Sequence, residues 1–159
     1  MIIKKTSIED AQQIAELISN SNKDVAKQFN LTFENNPKHP SFCTKEWVIS
    51  DFERGAEYFI CYINNQPAGC VSFEHPDPDT AYLNRLSVFP NYRHQGIGAA
   101  LVNYVVEYSK KQKASYVSIG IIAEHTMLKN WYSMLGFIEG DIQKFEHLPF
   151  DVLYMRYDL

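Results

Sequence analysis

The chain has 159 residues, of which 45% are hydrophobic and 21% charged, and ten Tyr with ten Phe bring the aromatic share to 14%. This length predicts one domain, and the balance of apolar and charged residues excludes a disordered or fibrous chain. The net charge of −4, from 15 basic and 19 acidic residues, argues against a nucleic-acid partner, which calls for a basic face.

The three cysteines, Cys43, Cys61 and Cys70, follow no CxxC spacing. They read as reduced thiols of a cytoplasmic protein and as no metal site. No apolar run approaches the ~20 residues of a membrane span. The start, Met1-Ile-Ile-Lys-Lys, turns polar at once and does not have the shape of a signal peptide.

Residues 1–5 predict a short strand. Thr6 stands three before Glu9, a capping-box spacing, and Ala11, Ile14, Ala15, Leu17 and Ile18 follow at helical period. Over 22–54 the pattern is weaker: Val25, Ala26 and Phe29 suggest one short helix and Trp47, Val48 and Phe52 another, with a break at Asn35-Asn36-Pro37. Two aromatic and β-branched runs, 57–63 and 68–74, flank Asn64-Asn65-Gln66-Pro67 and predict an antiparallel hairpin. A rigid loop, His75 to Asp79, leads to a third strand over 80–88.

Residues 97–113 form the clearest amphipathic helix, with Ile97, Ala100, Leu101, Tyr104, Val105 and Tyr108 on one face. A strand over 115–122 follows, so 80–122 predicts a parallel pair with a right-handed crossover. A second helix over 126–135 ends at Gly136, a C′ glycine. Two strands, near 137–146 and 151–158, close the chain. The expected fold is α/β, with one mixed sheet of six to seven strands and about four helices.

The segment Arg93-His94-Gln95-Gly96-Ile97-Gly98 joins a strand to the first turn of the strong helix. Glycines there permit a tight turn, and amides at a helix N-terminus lack internal partners at the positive end of the dipole. The arrangement suits a pyrophosphate, although a plain strand-to-helix turn would use the same residues. A Walker loop is excluded, because Ala99-Ala100 follow Gly98 where Lys-Ser/Thr is needed. A dinucleotide fingerprint fits poorly, because position 101 is Leu and the loop is long, although Glu124 could serve as its ribose-binding acid.

Arg93-x-x-Gly96-x-Gly98, after Leu86-Ser87-Val88, resembles the acetyl-CoA loop of the GNAT family of N-acetyltransferases. Tyr132-Ser-Met-Leu-Gly136-Phe137 resembles the family's Tyr-x-x-x-Gly-Phe signature, and the family's order of elements accommodates the whole chain. The resemblance implies acetyl-CoA as acetyl donor, with the pantetheine arm held in strand-like pairing by Leu86, Ser87 and Val88. It places the pyrophosphate on the amides of His94, Gln95, Gly96, Ile97, Gly98 and Ala99. Arg93 would give its charge to the phosphates or make a structural contact in the loop.

Tyr132 matches the family's general acid, which protonates the departing CoA thiolate. His125 stands where many members carry an Asn that contacts the CoA arm. Asn84 and Arg85 stand where many carry a glutamate base, which leaves Glu74, His75, Asp79, Glu146 and His147 as the candidate bases. No cysteine sits in a nucleophile motif, so transfer would be direct, within a ternary complex. The acceptor would be a small amine or a peptide N-terminus, in a pocket lined by 22–40, 75–79 and 143–151. Phe29, Phe33, Phe42, Phe145 and Phe150 would supply aromatic walls there, although core packing would account for most of these rings. A homodimer is compatible with this reading. The rival readings are a non-catalytic acyl-CoA sensor and a dinucleotide binder.

Overall fold

The computed structural model describes residues 1–159. The chain runs β1 (Ile2–Lys5), α1 (Ala11–Ser21), α2 (Lys23–Gln28), α3 (Lys45–Glu53), β2 (Glu57–Ile63), β3 (Gln66–Glu74) and β4 (Thr80–Val88). It continues through α4 (Ile97–Lys111), β5 (Tyr116–Ile122), α5 (Thr126–Met134), β6 (Ile138–Gln143) and β7 (Val152–Asp158). All seven strands form one mixed sheet in the order β1-β2-β3-β4-β5-β7-β6. Only β4 and β5 are parallel; every other neighbouring pair is antiparallel. The α/β fold class and the βαβ unit expected from the sequence are both present.

The two-residue period of β2 divides the core. Tyr58 and Ile60 point to one face of the sheet, where Ile14, Leu17, Ile18 and Val48 of α1 and α3 meet them. Phe59 and Cys61 point to the other, against Ile97, Leu101, Val102 and Val105 of α4. Both faces are covered, so Tyr58 to Cys61 are all buried. Each large apolar side chain buried this way contributes roughly 1.5–3 kcal/mol. Much of the aromatic content is spent here: Phe59 and Phe73 pack on Tyr104 and Tyr108 with ring centroids about 5 Å apart.

Some local expectations shift. The N-terminal box forms one residue later than Thr6–Glu9: the amide of Ser7 donates to Asp10 Oδ2 at 2.9 Å. Thr6 instead donates its hydroxyl to the carbonyl of Tyr58, tying the chain to β2. The strong helix stops at Lys111, because Lys113 takes a left-handed φ of 63°. The next-to-last strand ends at Gln143, short of 146, and all six of its residues are exposed at the sheet edge. No helix is long and apolar enough to cross a membrane.

Gly136 ends α5 with φ 104°, and a Cβ there would lie 2.8 Å from the Tyr157 ring. Strain and overlap act together at this position. Gly136→Ala is expected to destabilise the fold by more than ~1 kcal/mol, read as an earlier urea midpoint at unchanged slope.

Candidate active site

The site originates in a fault in the sheet. β4 pairs with β5 only through Thr80–Tyr82 against Tyr116–Ser118; beyond that the strands part. On its other side β4 carries an extra residue, since Cys70 faces Ser87 while Ser72 faces Asn84. Arg85 absorbs the bulge at φ 57°, a left-handed conformation that costs an L-residue about 1–2 kcal/mol. The parted strands open a cleft of about 490 Å³. On the side facing β5, the backbone of Leu86, Ser87 and Val88 has no ladder partner.

The glycine loop lies at the end of β4. Gly96 caps α4 with φ 81°, and His94 is also left-handed at φ 60°. The first helical bond runs from Ala100 N–H to the Gly96 carbonyl. The amides of His94, Gln95, Gly96, Ile97, Gly98 and Ala99 donate to no protein group. Six backbone donors are thus left together at the positive end of a 15-residue helix. A Cβ on Gly96 would meet nothing within 4 Å, so the space above the loop is open.

The other loop residues have structural work. A Cβ on Gly98 would lie 3.3 Å from the Trp131 ring, so this glycine lets α5 pack on the first turn of α4. The guanidinium of Arg93 bonds Asp24, the Ser21 carbonyl and, through Nε at 3.2 Å, the Val88 carbonyl. It ties the loop to α1 and α2, which is the structural contact of the two roles the sequence allowed. Gln95 turns back to the Asn91 carbonyl.

Tyr132 is 4% exposed, and its ring packs on Trp131 and Phe137 at 4.9 and 5.3 Å. Tyr132 also lines the cleft, and its hydroxyl has no hydrogen-bond partner in the protein. It is therefore a core aromatic and a free donor at once. Burial pushes its pKa well above the ordinary tyrosine value, which keeps the proton on oxygen.

His125 caps α5, with Nδ1 accepting from the Leu128 amide at 3.4 Å and its ring 5.3 Å from Phe29. Desolvation lowers its pKa from the ordinary histidine value, which favours the neutral ring, and the acceptor role of Nδ1 places the ring proton on Nε2. His125 also lines the cleft.

The acceptor side departs from the sequence reading. Of the five phenylalanines expected there, only Phe150 lines the cleft. Phe33 is 62% exposed and packs on Phe42, and Phe145 packs on His147. Polar residues take their place: Asn22, His39, Arg54, Ser72, Asn84 and Arg85. Among the candidate bases, only Glu74 reaches the cleft, and Arg54 grips it at 2.7 and 3.2 Å. His75 approaches the Pro78 carbonyl, and Asp79 serves Ser115 and the Tyr116 amide. Glu146 and His147 are exposed, outside the cleft. His39 and Arg54 were not singled out in the sequence: each lies in the weakly patterned stretch and sits in no motif.

The acetyltransferase (GNAT) family model matches residues 22–137. An uncharacterized N-acetyltransferase of Methanocaldococcus jannaschii is 30% identical over 105 residues, which is 62% of this chain. The match spans 46% of that relative, so the chain covers less than half of the relative's length. Among solved structures, the PaiA N-acetyltransferase of Thermoplasma acidophilum in complex with coenzyme A superposes with a TM-score of 0.82. It is 20% identical, with 99% of this chain and 98% of that one covered. The ribosomal-protein-alanine N-acetyltransferase of Brucella melitensis superposes at 0.72, with 18% identity and both chains fully covered. The parted strands, the free amides and the family match lead to one statement: the chain belongs to the GNAT family of acetyltransferases.

Proposed function

We propose that the protein transfers an acetyl group from acetyl-CoA to a primary amine, directly and within a ternary complex. The observation that carries this reading is the cleft between β4 and β5, which has unpartnered helix amides beyond one end and a free tyrosine hydroxyl in its wall. Fold neighbours named as N-acetyltransferases, one holding coenzyme A, support it.

Bound there, acetyl-CoA supplies a thioester carbon open to attack by an amine. The chain provides the rest. The amides of 94–99 hold the pyrophosphate, and Leu86–Val88 align the extended arm along the open side of β4. Arg93 holds the loop in shape rather than spending its charge on phosphate. His125 offers Nε2–H to the arm. As the new N–C bond forms and the C–S bond breaks, Tyr132 gives its proton to the leaving sulfur. The amine's own proton passes to water, because the one carboxylate in the cleft is already held by Arg54. Holding both reactants in one cleft supplies much of the rate.

Calorimetric titration with acetyl-CoA, CoA and NAD tests the reading. Micromolar binding of acetyl-CoA without NAD is expected, followed by release of free thiol when an acceptor is present. Failure to bind acetyl-CoA overturns it. The absence of a carboxylate at positions 84 and 85 favours a second reading, an acyl-CoA sensor, which any productive acceptor removes.

A further inference from the structure

Beside the cleft, on the α1 and α3 face of the sheet, lies a side pocket of about 320 Å³. Lys38, Glu46, Trp47, Ser50, Asp51 and Arg85 line it. Arg85 is the one residue that lines both spaces. It stands at the bulge of β4, immediately before the Leu86–Val88 segment. It therefore sits next to the point where acetyl transfer would occur.

The charges around Arg85 are unequally satisfied. Asp51 is buried, accepts the Tyr58 hydroxyl at 2.5 Å and is bonded by Arg54 at 3.0 Å. Arg85 approaches the same carboxylate through Nε, at 3.4 Å. Beyond that carboxylate its guanidinium neighbours only the Tyr58 hydroxyl, which Asp51 already holds, and its side chain is only 23% exposed. The guanidinium lies over the Trp47 ring, 5.8 Å from its centroid. Glu74 is occupied by Arg54, so it cannot serve as the partner. Lys38 and Glu46, at the pocket's wall, contribute one charge of each sign. What is left over is a half-buried guanidinium whose five N–H donors outnumber the partners around it.

Such a fork matches a carboxylate, which accepts two parallel N–H bonds. We propose that Arg85 selects the acceptor by binding its carboxylate, so that the amine acetylated belongs to a small amino acid. This rests on the acetyltransferase reading above and adds only the substrate class. The bonds made and broken are unchanged: the amino acid's nitrogen gains the acetyl carbon, and the CoA sulfur leaves with the Tyr132 proton. A left-handed arginine at the bulge is otherwise an expensive choice, since Gly or Asn adopts that backbone more readily.

The test compares free amino acids with their carboxamides as acceptors, by thiol release at saturating acetyl-CoA. The α-amine of an amino-acid amide is less basic than that of the free amino acid, so more of it is neutral and reactive at neutral pH, and a strong preference for the acid has to come from the protein. The acid form is expected to exceed its amide by at least about tenfold in kcat/KM, since a hydrogen bond to a charged group is worth ~1.5–3 kcal/mol. Arg85→Asn, which suits the left-handed backbone, should remove most of that preference through KM, and Arg85→Lys should restore part of it. The affinity of both variants for acetyl-CoA reports that the fold and the donor site survive. Equal use of acid and amide, a preference for peptides, or equal loss on both acceptors in Arg85→Asn overturns the proposal. Acetyl-CoA binding with no amino acid accepted also overturns it, and leaves the donor site standing. Loss of acetyl-CoA binding in the wild-type protein would instead strike the acetyltransferase reading itself.

Discussion

Tyr132→Phe is expected to lower acetyl turnover by an order of magnitude or more while acetyl-CoA affinity stays close to wild type. Each factor of ten corresponds to about 1.4 kcal/mol of lost transition-state stabilisation. Phe keeps the ring that packs on Trp131 and Phe137, so the core is retained. The hydroxyl bonds no protein group, so removing it leaves no buried partner unsatisfied. Stability should therefore hold, and the loss should fall on kcat rather than on KM for the donor. The pH dependence adds a second readout. A base would have to lose its proton before it could act, whereas burial keeps this hydroxyl protonated through neutral and mildly alkaline pH. The wild-type rate should climb with pH as the acceptor amine becomes neutral, with no alkaline fall near the ordinary tyrosine pKa of ~10. Unaltered turnover in Tyr132→Phe would remove the acid role and leave the residue as packing alone.

The sequence was most legible where one physical pattern acts alone. The aromatic and β-branched run of β2 and the helical face of α4 located the core, because a strand covered on both faces is apolar throughout and a helix buries one stripe at its own period. The glycines and Tyr132 were legible as motifs. Even so, the motif assigned both glycines to the ligand, whereas only Gly96 stands over open space and Gly98 makes room for Trp131. The least legible residue was Arg85. A bulge depends on the register between two strands, and no local signal marks a non-glycine residue for positive φ. The acceptor side was legible only in part, for a related reason. Phe33, Phe42 and Phe145 satisfy their apolar surface against immediate neighbours, so a count of aromatic residues could not say which would face the cleft. Arg54 and Glu74 lie twenty residues apart and meet only because α3 leads into the hairpin beside it.

The glycine loop makes the sharpest claim about the donor. Gly96→Glu is expected to abolish acetyl-CoA binding in a chain that still folds. Two effects add. Gly96 holds φ 81°, where a Cβ costs roughly 1 kcal/mol or more, so the loop tends to relax away from the shape that gathers its amides. The glutamate then places a negative charge where those amides would receive a pyrophosphate, and the like charges repel. No atom lies within 4 Å of the added Cβ, so the substitution does not wedge the core apart. The melting transition should stay cooperative, with at most a small decrease in midpoint. Gly96→Asn separates the two effects, because Asn tolerates the left-handed backbone and carries no charge. It should bind acetyl-CoA with an affinity between wild type and Gly96→Glu, and closer to wild type. If Gly96→Glu binds acetyl-CoA as the wild-type chain does, the anion is held elsewhere, and the free amides of 94–99 are only the open end of a helix.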